Sequence, residues 1–96
     1  MKKGTADYKR GLLEDLQEAG EAAAYLNAAL EDGSVDGFLL ALRDVAEARG
    51  MGTLARRAKL NRVSLYRMLS EKGNPELASL STLLDSMGLR LAVAVR

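Results

Sequence analysis

Ala22, Ala23, Leu26, Ala29 and Leu30 recur at the three- and four-residue spacing of one helix face. The spacing predicts a helix from Glu18 to Leu30, stopped at Asp32-Gly33-Ser34, where Gly33 suits the left-handed position after a helix. A second helix is expected from Ser34 or Asp36 to Arg49, with Phe38, Leu39, Leu42, Val45 and Ala46 on one face and Arg43, Asp44 and Glu47 on the other. Gly50 ends it. Residues 51 to 58 read as a short helix that buries Leu54, Ala55 and Ala58, and Lys59-Leu60-Asn61 as a turn. A further helix, capped by Asn61, continues to Leu69 or Ser70, with Leu65, Met68 and Leu69 inward and Arg62, Val63, Ser64, Tyr66 and Arg67 outward. After a loop at 71 to 74, Asn74 as cap and Pro75 as first position open a last helix through Leu77, Leu80, Leu83, Leu84 and Met87, ended by Gly88.

The two ends break this rhythm. Residues 1 to 17 show weak periodicity and read as a tail with an apolar foot, Leu12, Leu13 and Leu16. In the last eight residues Leu89, Leu91, Val93 and Val95 alternate with Arg90, Ala92, Ala94 and Arg96, the pattern of a strand. A lone strand is not stable in water, and no second one is legible in the sequence, so its expected partner is the same segment of another copy. The competing reading is an apolar tail folded back on the helices. The expected fold class is therefore all-α, a five-helix domain with a C-terminal β-strand that pairs across a homodimer. Its expected parts are an acidic helical segment at 1–33, a central helical domain at 34–88 and a dimerisation strand at 89–96.

Composition narrows the chemistry. The chain has 96 residues, enough for one core, and its 48% hydrophobic and 28% charged residues belong to a folded domain rather than a disordered or membrane-spanning chain. Tyr8, Tyr25, Phe38 and Tyr66 are its aromatic residues, so the core is left to Leu, Ala, Val and Met. With no Cys and no His, disulfides, thiolate nucleophiles, zinc fingers and an imidazole base are excluded. No glycine-rich phosphate loop and no carboxylates at metal-ligand spacing are found, so no enzyme, cofactor or metal is expected. No apolar run reaches about 18 residues, and the basic start is followed by polar residues, which points to the cytoplasm.

Charge singles out one stretch. Residues 1 to 50 hold six cations against ten acids, residues 51 to 96 eight against three. From Leu54 to Ser70 there are five cations, Arg56, Arg57, Lys59, Arg62 and Arg67, and no acid. Two short helices joined by a tight turn are the form in which one helix enters a major groove while the other crosses the backbone. On that reading Asn61, Arg62, Val63, Ser64 and Arg67 face base edges. Each arginine offers a bidentate contact to guanine worth roughly 1 to 3 kcal/mol of discrimination. Thr53, Arg56, Arg57, Lys59, Tyr66 and Lys72 are placed for the phosphate backbone, where contacts position without specifying. A solvated basic face is the competing account.

Leu54-Ala55, the turn Lys59-Leu60-Asn61, Leu65, and Asn74-Pro75 leading to Met87-Gly88-Leu89 resemble the Cro and phage-repressor class of helix-turn-helix domains over residues 36 to 89. More narrowly, AAAYLNAALEDG, FLLALRDVAEARGM and SLYRMLSEKGNPELASLSTLLDSMGLRL resemble the probable addiction-module antidote family, similar to HigA-type antitoxins, over nearly the full chain. The resemblance implies a dimer that represses its own operon and neutralises a small basic toxin of the RelE/ParE-like superfamily. Operator DNA, a second copy and a toxin are then the partners. A basic toxin is matched by carboxylates, and Leu12, Leu13, Glu14, Leu16 and Glu18, with Asp7, Asp15 and Glu21, are assigned to that surface. Two departures stand out: Lys59 occupies a turn position commonly held by glycine, and Met51-Gly52 precede Thr53 where a polar residue is usual. A stand-alone or phage-type repressor without a toxin, or an interaction module that has lost DNA binding, are the alternatives.

Overall fold

Helix α1 (Thr5–Asp15) occupies the weakly periodic stretch read from the sequence as a tail with an apolar foot. The computed structural model describes the backbone of residues 5–70 and 72–96 and the side chains of 8–70 and 72–96, so Asp7 on the toxin-facing list lies outside the described side chains. Weak periodicity is overridden here by tertiary anchoring. Leu16 is only 1% exposed. Its carbonyl accepts from Arg49 Nε at 3.3 Å, and Gln17 Nε2 donates to the Ala48 carbonyl at 3.4 Å.

The helices that follow are α2 (Ala19–Glu31), α3 (Val35–Arg49), α4 (Met51–Arg57), α5 (Arg62–Met68) and α6 (Leu77–Ser86). The described residues therefore form six helices, not five, because α1 adds one. Ser34 caps α3 by accepting from Gly37 N at 3.0 Å. Gly50 is at once the end of α3 and the start of α4, with φ 93, a conformation that side chains other than glycine's resist. It lets the chain change direction within one residue.

Helix α3 is the central element, packed on α1, α2 and α4. Leu39 is buried, and Ala41, Leu42, Val45 and Ala46 meet Leu16, Ala22, Leu26, Leu54, Leu65, Leu69, Leu83, Leu84 and Met87 in the core. Complete burial of a leucine contributes about 1.5–3 kcal/mol, which is how seven-residue helices such as α4 and α5 persist despite being too short to hold alone. No buried residue is polar among the described ones.

Two boundaries differ from the sequence pattern. Helix α6 begins at Leu77, with Glu76 extended (φ −65, ψ 145) in the cap position, rather than at Asn74-Pro75. The tail also differs. Residues 89–96 form no strand within the chain, since a strand is defined by a ladder and no described segment supplies one. The Leu89 amide bonds the Leu84 carbonyl at 2.9 Å and Leu89 packs against the core, so the tail starts along the helices, while beyond it Val93 and Val95 are fully exposed.

Candidate nucleic-acid interface

The turn from α4 to α5 is built by three backbone features. Ala58 N bonds Leu54 O at 2.8 Å, Leu60 N bonds Ala55 O at 2.8 Å, and between them Lys59 takes φ 57, the left-handed conformation. The sequence departure at Lys59 is thus accommodated by a non-glycine at positive φ, at some cost in free energy. Ala55 and Ala58 are buried where the turn brings α4 and α5 together, and Leu60 is half-buried beside them.

Asn61 then starts α5. Its Oδ1 accepts from Val63 N at 2.7 Å and Ser64 N at 3.2 Å, satisfying two of the amides that a helix start leaves unpaired. Leu65 and Leu69 anchor the inner side of the helix with no exposed area. The outer side presents Arg62, Val63, Ser64 and Arg67, all exposed, with Asn61. All five residues read from the sequence as base-facing are exposed.

The residues assigned to the phosphate backbone are scattered more widely. Lys59 and Lys72 are exposed. Arg56 lies within 3.5 Å of Thr53 Oγ1, which pairs these two on α4. Arg57 reaches instead to the Ser86 carbonyl at the end of α6, at 3.5 Å. Ser64, Arg67 and Lys72 line one concave surface of about 390 Å³ with Asn74 and Ser79, so a contact surface continues from α5 toward the start of α6. Gly73 makes this bend possible: a Cβ there would sit 2.3 Å from the Met68 carbonyl oxygen.

Tyr66 is half-buried rather than outward. The guanidinium carbons of Arg43 and Arg62 lie 5.6 and 6.0 Å from its ring centroid, within cation–π reach. Arg43 is also bonded to Glu47 at 3.3 Å, and Glu47 pairs with Lys9 at 3.7 Å. Arg43 is thus a contributor that the sequence did not single out, because nothing in the periodicity of α3 says that its outer face meets α5. Among the described residues, Arg56, Arg57, Lys59, Arg62 and Arg67 are not ion-paired, so the positive field of this surface is not neutralised from within.

On the acidic half, Glu14 and Glu18 are exposed and Leu12 and Leu13 half-buried. Leu16 is a core residue and cannot meet a partner from the surface, a correction to the toxin-facing set. Of the residues expected from the sequence at a dimer interface, Leu89 is half-buried and Leu91, Val93 and Val95 are exposed.

A family model described as "Probable addiction module antidote protein" matches residues 9–95, and the chain belongs to that family. An "Uncharacterized protein" of Haemophilus influenzae is 36% identical over 80 residues, which cover 83% of this chain and 82% of that relative. No solved structure matches the chain. No helix among the described residues is long and apolar enough to cross a membrane.

Proposed function

We propose that the chain is the DNA-binding antitoxin of a type II toxin–antitoxin module, acting as a homodimer that represses its own operon and neutralises a basic toxin of the RelE/ParE-like kind. On this reading α4 and α5 are a helix-turn-helix and α5 is the recognition helix. The observation that carries it is the start of α5: Asn61 caps the helix through its side chain while Arg62, Val63, Ser64 and Arg67 stand exposed beside it. Arg62 and Arg67 read guanine edges, Val63 touches a thymine methyl, and Ser64 and Asn61 bind a base edge or phosphate. Thr53, Arg56, Lys59 and Lys72 hold the backbone. Residues 34–88 form the DNA-binding unit, 89–96 join two copies, and 1–33 meet the toxin.

Antidote family membership supports the toxin partner. The exposed carboxylates Glu14 and Glu18 beside half-buried Leu12 and Leu13 are the surface offered to it. The test is a mobility shift of the chain's own promoter DNA, with and without the product of the neighbouring gene. Retarded promoter together with a stable complex between the two proteins is the expected result. Promoter binding with no protein complex would leave a stand-alone repressor. Glu14→Lys with Glu18→Lys should weaken the complex and leave promoter binding in place.

A further inference from the structure

One groove and the C-terminal tail form a continuous, mainly apolar surface. The groove encloses about 360 Å³ and is lined mainly by Leu26 and Leu30 of α2, Phe38 of α3, Leu84 of α6 and residues 88–92 of the tail, with Asn27 and Arg90 at its polar edge. Leu30 is 53% exposed and Leu91 43%, while Val93 and Val95 are in contact with nothing. Among the described residues no backbone hydrogen bond is made by 90–96. We propose that this groove seats the tail of a second copy, so that Val93 and Val95 of each chain pack against Leu30 and Phe38 of the other. This rests on the tail-paired dimer and adds to it a surface from the acidic half.

The register follows from strand geometry. In an extended tail Leu89, Leu91, Val93 and Val95 share one face, and Arg90, Ala92, Ala94 and Arg96 the other. In an antiparallel pair, residues directly opposite project to the same side, and the strands run about 4.8 Å apart. A two-fold axis at Val93 sets Leu91 opposite the copy's Val95. An axis at Ala92 sets Leu89 opposite the copy's Val95 and Leu91 opposite its Val93. Because Leu89 and Leu91 already border the groove, both registers bring the copy's valines over it. Shifting the pairing by one residue turns the copy's apolar row to the side of Arg90 and Ala92, so burial of that row beside Leu89 and Leu91 selects the register.

A second copy fits better than a foreign segment for a reason of symmetry. One two-fold operation supplies the missing backbone partners of both tails and fills both grooves, as an isologous interface requires. Arg90 and Arg96, on the opposite face, leave the outside of the resulting ribbon charged and solvated.

The chain has no cysteine, which makes a direct test clean. Full-length chains carrying Leu30→Cys alone and Val93→Cys alone are mixed, allowed to exchange, and oxidised, and a non-reducing gel is compared with sedimentation of the unmodified protein. A cross-link joining one chain of each kind, with none in the Leu30→Cys chain alone, is expected. A sedimenting dimer without the mixed cross-link would overturn the groove docking and leave tail pairing standing. A monomer would overturn both. A groove cysteine protected from a thiol reagent only when the neighbouring gene's product is added would assign the groove to that protein and overturn the proposal.

Discussion

The ring of Tyr66 is shared by two arginines, with the guanidinium carbon of Arg62 at 6.0 Å from its centroid and that of Arg43 at 5.6 Å. Arg62 and Tyr66 are one helical turn apart on α5, whereas Arg43 comes from α3, so the ring connects the proposed base-reading helix to the core helix. A guanidinium over an aromatic face gains about 0.5–1 kcal/mol at an exposed site. The orientation of Arg62 is thereby biased toward the ring.

Tyr66→Ala should weaken promoter affinity about two- to fivefold, the equivalent of one such contact. Tyr66→Phe keeps the ring face and should bind as the parent does. Fluorescence anisotropy with a labelled promoter duplex measures both. Equal loss in the two variants would instead assign Tyr66 its sequence-based role, a hydroxyl contact to phosphate.

Asn61→Ala removes the acceptor of two amide hydrogen bonds at the start of α5. Loss of such a cap costs about 1 kcal/mol, and a domain of this size then melts about 4–8 °C lower. Thermal unfolding followed by circular dichroism checks this, and Asn61→Ser should recover most of the loss.

Lys59→Gly separates fold from function at one residue. The left-handed conformation at φ 57 costs a non-glycine residue about 1–2 kcal/mol, partly offset by the greater freedom glycine has when unfolded. The variant should melt at the same temperature or a few degrees higher. It should nonetheless bind DNA more weakly, with the slope of log affinity against log salt reduced by about 1.

Tyr25 gives a pH signature. Its hydroxyl donates to Asp44 Oδ2 at 2.6 Å, and burial first, then that hydrogen bond and the Asp44 charge, push its pKa from 10.0 to about 12. Below pH 10 both folded and unfolded chains hold the phenol proton, and the contribution is fully present. Between about 10 and 12 the unfolded chain gives it up first, so stability falls as pH rises, and above about 12 the contribution is gone. Urea midpoints should drop over that window less steeply in Tyr25→Phe than in the parent.

The helices were legible where periodicity and punctuation agreed. Gly33 and Gly50 bound α3, and Asn61 marks α5, because those residues carry the backbone conformation or the cap that ends or begins a helix. Helix α1 was hidden because its stability comes from Leu16 and from bonds to Arg49 and Ala48, which lie more than thirty residues away. Sequence separation also hid Arg43, whose partner Tyr66 belongs to another helix. The exposed start of α5 was readable from local pattern alone, since Leu65 and Leu69 fix which side turns inward. The alternation in the tail was equally plain, but no described segment of the chain pairs with it.

The most direct measurement is promoter affinity as a function of salt for the parent chain and for Arg62→Ala with Arg67→Ala. The parent should bind its own promoter far more tightly than a scrambled duplex, with affinity falling steeply between about 50 and 200 mM salt as counterions are released. The double variant should lose that preference while melting within a few degrees of the parent, because both arginines are exposed. Equal affinity of the parent for promoter and scrambled DNA, or an unchanged preference in the double variant, would contradict recognition through α5.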